Sequence, residues 1–64
     1  MRMAKLKDYY SNDFVYVNPD RVFSLEKSEK GEHTFIRASA LEGDYIIVGE
    51  PIDAVAVRLE NARQ

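Results

Sequence analysis

Sixty-four residues carry nine Lys/Arg against eleven Asp/Glu, a formal net charge of −2, with 45% hydrophobic side chains, 31% charged ones and no cysteine. That composition is globular rather than disordered, and it excludes a core stapled by disulfides or by a thiolate-bound metal. The charges are spread along the whole chain without a basic run, which argues against a phosphate-tracking stripe.

The first expected strand is Ala4 to Asp8, where Ala4, Leu6 and Asp8 alternate with Lys5 and Lys7. A polar turn over Tyr9–Asp13 follows. Phe14-Val15-Tyr16-Val17 is wholly β-branched or aromatic and predicts a second strand. Asn18-Pro19-Asp20 ends it, because proline donates nothing to a ladder and Asn and Asp cap turned backbone. A third strand is expected over Arg21–Ser28, with Phe23 and Leu25 on one face and Ser24 and Glu26 on the other. Glu29-Lys30-Gly31-Glu32 forms its hairpin loop, Gly31 taking the positive-φ position.

His33–Ala38 returns as a fourth strand, with Thr34, Ile36 and Ala38 on one face and Phe35 and Arg37 on the other. Leu41-Glu42-Gly43-Asp44 is a second tight turn. Tyr45-Ile46-Ile47-Val48, within an expected strand at 44–48, is apolar throughout, which predicts cover on both faces. The longest apolar runs, of which this is one, fall far short of a membrane span, and the basic Met1–Lys7 stretch has no apolar segment behind it to make a secretory signal. A cytoplasmic protein is the expectation.

The last element is an amphipathic helix over about residues 51–62. Pro51 suits its first position and Asp53 its first turn. Ile52, Val55, Ala56 and Leu59 form its core stripe, Arg58 and Arg63 lie toward its end, and Asn61–Gln64 is expected to fray. The fold class is therefore α+β in a single domain. It consists of a small twisted antiparallel sheet of four to five strands, curling toward an SH3- or Sm-like barrel, with one C-terminal helix. Short connections place sequence neighbours side by side in the sheet.

One helix covers one face, yet the strands carry large apolar side chains on both, and Val57 lies off the helix's core stripe. Folding a chain of this size buries about 6,500 Å². That is worth about 97 kcal/mol if roughly 60% is apolar, against an ordering cost of about 96 kcal/mol. The near-cancellation makes a homo-oligomer the expected state. The partner-binding candidates are Tyr9, Tyr10 and Val57, since aromatic residues are enriched at interface centres. Arg21, Arg37 and Tyr45 are the candidates for a ligand site between subunits, one copy being too small to enclose it.

From Phe14 onward the chain resembles the FlbD-like small flagellar and swarming-motility proteins. Phe14–Val22, with its Val17-Asn18-Pro19-Asp20 core, is similar to that family's strand and Asn-Pro-Asp turn. Phe23-Ser24-Leu25-Glu26, Thr34-Phe35-Ile36-Arg37, Gly43–Val48 and Glu50–Val55 resemble its later strands and the start of its terminal helix. The Asp8–Asp13 turn and the Glu29–Glu32 hairpin depart from the family pattern. The resemblance spans roughly residues 4 to 60 and implies a noncatalytic accessory protein of bacterial or phage origin; it carries no catalytic residue.

Chemistry is sparse elsewhere. His33, the lone histidine, reads as an exposed strand residue, and no convergent set of metal ligands accompanies it. The aspartates occupy turns and caps, the three glycines are isolated, and no nucleophile triad stands out. No enzyme activity and no cofactor are expected. The alternatives to a protein-docking role are a nucleic-acid-binding small barrel, with Tyr9, Tyr10, Tyr16 and Tyr45 as stacking groups beside Arg21 and Arg37, and a phage-encoded modulator of a host protein or small ligand.

Overall fold

A computed structural model describes residues 2–63; Met1 and the expected frayed end at Gln64 lie outside them. Five strands appear in chain order, β1 (Ala4–Lys7), β2 (Phe14–Val17), β3 (Ser24–Lys27), β4 (Thr34–Arg37) and β5 (Tyr45–Val48), followed by the helix α1 (Ile52–Arg63). The fold is α+β, but the strands divide between two antiparallel sheets, β1-β2 and β3-β4-β5, instead of forming one sheet, and no barrel closes.

The division begins at Asn18. Its Oδ1 accepts the Asp20 N–H at 2.9 Å, and Pro19–Arg21 wind into a 3₁₀ turn. Backbone that could have paired β2 with β3 is thereby turned away, and β3 starts at Ser24 rather than Arg21. Phe23, expected to share a face with Leu25, lies before the strand and is exposed. The sheets meet instead at an isolated antiparallel bridge between Asp8 and Val48. There the Gly49 N–H donates to Lys7 O at 2.8 Å and the Tyr9 N–H to Ile47 O at 3.3 Å.

The hairpins follow the local chemistry. Gly31 sits at φ 75° and its N–H donates to Ser28 O, a conformation that costs an L-side chain roughly 1–2 kcal/mol. Asp44 N–H donates to Leu41 O in the second turn, and Ser39 Oγ to Asp44 Oδ2 at 2.7 Å.

The core is small. Ala4, Leu6 and Val17 come from the first sheet, Ile36 and Val48 from the second, and Val55 and Leu59 from α1; Val15, Val22, Leu25 and Ala62 pack around them. On α1 the inward stripe is Ile52, Val55, Leu59 and Ala62, whereas Ala56, expected inside, is exposed. The expected cover on both faces of β5 is also missing: Tyr45 and Ile46 stay 42% and 45% exposed. A single helix packing mainly on β1, the 3₁₀ turn and β3 does not reach them.

Polar contacts hold α1 in place. The Glu50 carboxylate accepts the Lys7 N–H at 2.8 Å and pairs with Arg58 at 3.1 Å, while Glu50 O accepts Thr34 Oγ1 at 2.8 Å. Arg58 Nη1 also donates to Lys5 O, and Arg63 Nη2 to Pro19 O at 3.1 Å. The last contact fastens the end of the helix that the sequence suggested would fray.

Candidate interaction surface

Alternation along β4 puts Phe35 and Arg37 on one face, and His33 precedes them at the same period of two. The β4–β5 register sets Arg37 opposite Tyr45 and Phe35 opposite Ile47. Phe35 and Tyr45 are therefore diagonal neighbours, and their ring centroids lie 5.5 Å apart, edge to face. Beyond the strand, His33 meets Phe35 at 5.7 Å.

The Asp8–Val48 bridge brings the turn after β1 onto the same face. Tyr9 lies over His33 with centroids 4.4 Å apart and planes tilted by 33°, and Tyr10 meets Tyr9 edge-on at 5.0 Å. The result is a continuous ribbon of five rings, Tyr10–Tyr9–His33–Phe35–Tyr45. Offset and edge-to-face contacts of this kind are the arrangements that ring quadrupoles favour.

Arg37 ends the ribbon, its guanidinium 5.5 Å from the Tyr45 centroid. The side chain is anchored: Nε donates to Glu26 Oε2 at 2.6 Å, and Nη1 to the carbonyls of Glu42 at 3.1 Å and Leu41 at 3.5 Å. At the middle of the ribbon the His33 N–H donates to Ser28 Oγ. The ribbon is thus pre-ordered yet open, with Tyr10 76% and Tyr9 47% exposed. Lys30 and Glu32 flank its Tyr9 end, and Glu26 and Glu42 its Tyr45 end, so its borders carry both signs of charge.

His33 is therefore half-buried between two rings and outside the strand, not an exposed strand residue. The period-two spacing of His33 and Phe35 was visible in the sequence. The Tyr9–His33 stack was not, because it depends on a bridge between segments some forty residues apart.

Of the other candidates, Val57 is 58% exposed on the outer side of α1 and takes no part in the ribbon. Arg21, Arg37 and Tyr45 all border one cleft of about 170 Å³, floored by Val17, Val22 and Ile36. This cleft lies within one copy and is smaller than the roughly 300–1,000 Å³ of ordinary small-molecule sites. Among the described residues no group of three His, Cys, Asp or Glu side chains converges as metal ligands, and no helix is long and apolar enough to cross a membrane.

Compared with known proteins, the chain matches no family model, no curated protein and no solved structure.

Proposed function

We propose that the protein is a small noncatalytic interaction module of the cytoplasm that docks a protein partner through the Tyr10–Tyr45 ribbon. The observation that carries this reading is the ribbon's continuity. Five rings share one face and three of the tyrosines stay substantially exposed, although a chain this small needs its apolar surface for its core. Pre-ordered aromatic side chains make economical contacts because little rotamer freedom remains to be lost. Mixed border charge suits the polar rim of a protein interface. The resemblance to FlbD-like proteins supports an accessory role of this type, in motility or in a phage–host encounter.

A base-stacking role fits less well. The net charge is −2, and affinity for nucleic acid rests largely on neutralising phosphates.

Affinity capture of partners with wild-type chain, Tyr9→Ser/Tyr10→Ser and Val57→Ser, coupled to fluorescence polarisation with single-stranded DNA and RNA, tests the reading. The tyrosine variant should lose specific protein partners, by roughly 30-fold or more in affinity if the ribbon is the hot spot. Val57→Ser should keep them. Partners retained by the tyrosine variant sink the proposal. Micromolar oligonucleotide binding that falls steeply with salt would replace it with the nucleic-acid reading.

A further inference from the structure

In the two-stranded sheet, Ala4 faces Val17, Lys5 faces Tyr16, Leu6 faces Val15 and Lys7 faces Phe14. The Asp8 N–H donates to Asp13 O at 3.0 Å, one step beyond Lys7–Phe14 in the same register. Antiparallel pairs alternate between hydrogen-bonded and non-hydrogen-bonded. The Leu6–Val15 and Ala4–Val17 pairs therefore exchange bonds, and Lys7–Phe14 and Lys5–Tyr16 turn their backbone groups outward. The far side of β1 agrees: Lys7 N–H goes to Glu50, Lys7 O accepts Gly49 N–H, and Lys5 O accepts Arg58.

Three of the four outward groups of β1 are thus satisfied by side chains and by the bridge. Their counterparts on β2, the N–H and C=O groups of Phe14 and Tyr16, face an edge along which no other element packs closely. Edge strands are normally blunted by charge, proline or a bulge. The other edge strand, β3, carries Glu26 and Lys27. β2 reads Phe-Val-Tyr-Val, with nothing to repel a second strand.

We infer that β2 pairs with β2 of a second copy, antiparallel about a two-fold axis at Val15, joining the two-stranded sheets into one four-stranded sheet. Only registers that match outward residues with outward residues form ladder bonds, and Phe14 opposite Tyr16 of the second copy is the symmetric one that uses all of these groups. Across the joined sheet each outer row then reads Lys5, Tyr16, Phe14 and Lys7, the last two from the second copy. Ammonium groups flank an aromatic pair, extending the contact already present in one copy, where Lys5 Nζ lies 4.4 Å from the Phe14 centroid. On the inner face Val15 meets Val15. This surface is separate from the ribbon, so each can fail without the other.

So short an interface buries less than the ~800 Å² per partner of a standard one. Association is therefore expected at tens to hundreds of micromolar and is read by sedimentation velocity over that range. Tyr16→Pro removes an outward N–H without touching the β1–β2 ladder and should abolish the dimer. Val15→Cys offers a second readout: the paired α-carbons would lie about 4.5 Å apart, within disulfide range. Oxidation with Cu(II)-phenanthroline should link it to dimers at least ~10-fold faster than Val57→Cys, which marks random collision. If Tyr16→Pro fails to fold by circular dichroism, the crosslinking comparison decides. A wild-type chain that stays monomeric, a folded Tyr16→Pro that dimerises as before, or equal crosslinking of the two cysteine variants overturns the inference.

Discussion

Replacing Glu50 by alanine tests the reasoning about how this small fold holds together. The carboxylate bridges the β1 backbone and α1, accepting the Lys7 N–H and pairing with Arg58, and it is 14% exposed. A hydrogen bond to a charged acceptor contributes about 1.5–3 kcal/mol. The Lys7 end of this one is wet, which puts it at the lower end. The ion pair to Arg58, whose side chain is 49% exposed, adds less than about 1 kcal/mol. Glu50→Ala should therefore cost about 2 kcal/mol, lowering Tm by roughly 8–16 °C in a domain of this size. Glu50→Gln keeps an acceptor for the Lys7 N–H but loses the ion pair and the charge on that acceptor, so it should cost about half as much, with a difference from wild type that shrinks in high salt. Thermal and urea unfolding followed by circular dichroism measure both variants, at one fixed protein concentration so that self-association does not shift the midpoint. A Glu50→Ala chain within about 0.5 kcal/mol of wild type, the ordinary scatter of a surface substitution, would show that the Glu50 bridge adds nothing to the hold of the apolar stripe and of the Arg58 and Arg63 contacts.

Other substitutions probe the joints around it. Thr34 is fully buried and donates to Glu50 O; Thr34→Val should cost about 1–2 kcal/mol through the carbonyl left without its partner, read as a lower urea midpoint with an unchanged slope. Gly31→Ala meets no atom within 4 Å, so any loss reports backbone conformation alone. At φ 75° it should be about 1 kcal/mol, and an unchanged melting temperature would mean that the hairpin relaxes to negative φ.

Much of this architecture can be read locally. The Asn18 cap, the positive φ of Gly31, the Leu41–Asp44 turn and the start of α1 after Pro51 each depend on a few adjacent residues whose conformational preferences agree. The alternation of Thr34 and Ile36 against Phe35 and Arg37 is legible for the same reason, and it already placed part of the ribbon on one face. The division into two sheets was not legible. The expectation that neighbouring strands pair holds for β1-β2, β3-β4 and β4-β5 and fails only between β2 and β3, where a 3₁₀ turn redirects the chain.

The sequence by itself determined the kinds of element, their order and the excess of apolar side chains over what one helix can cover. Tertiary structure decided where that excess lies. The Asp8–Val48 bridge joins segments distant in the chain, and closing so long a loop is favoured by packing that no local preference encodes. Once closed, it lays Tyr9 on His33 and completes the ribbon. It also turns the far edge of β1 toward Gly49, leaving β2 as the apolar edge of the first sheet.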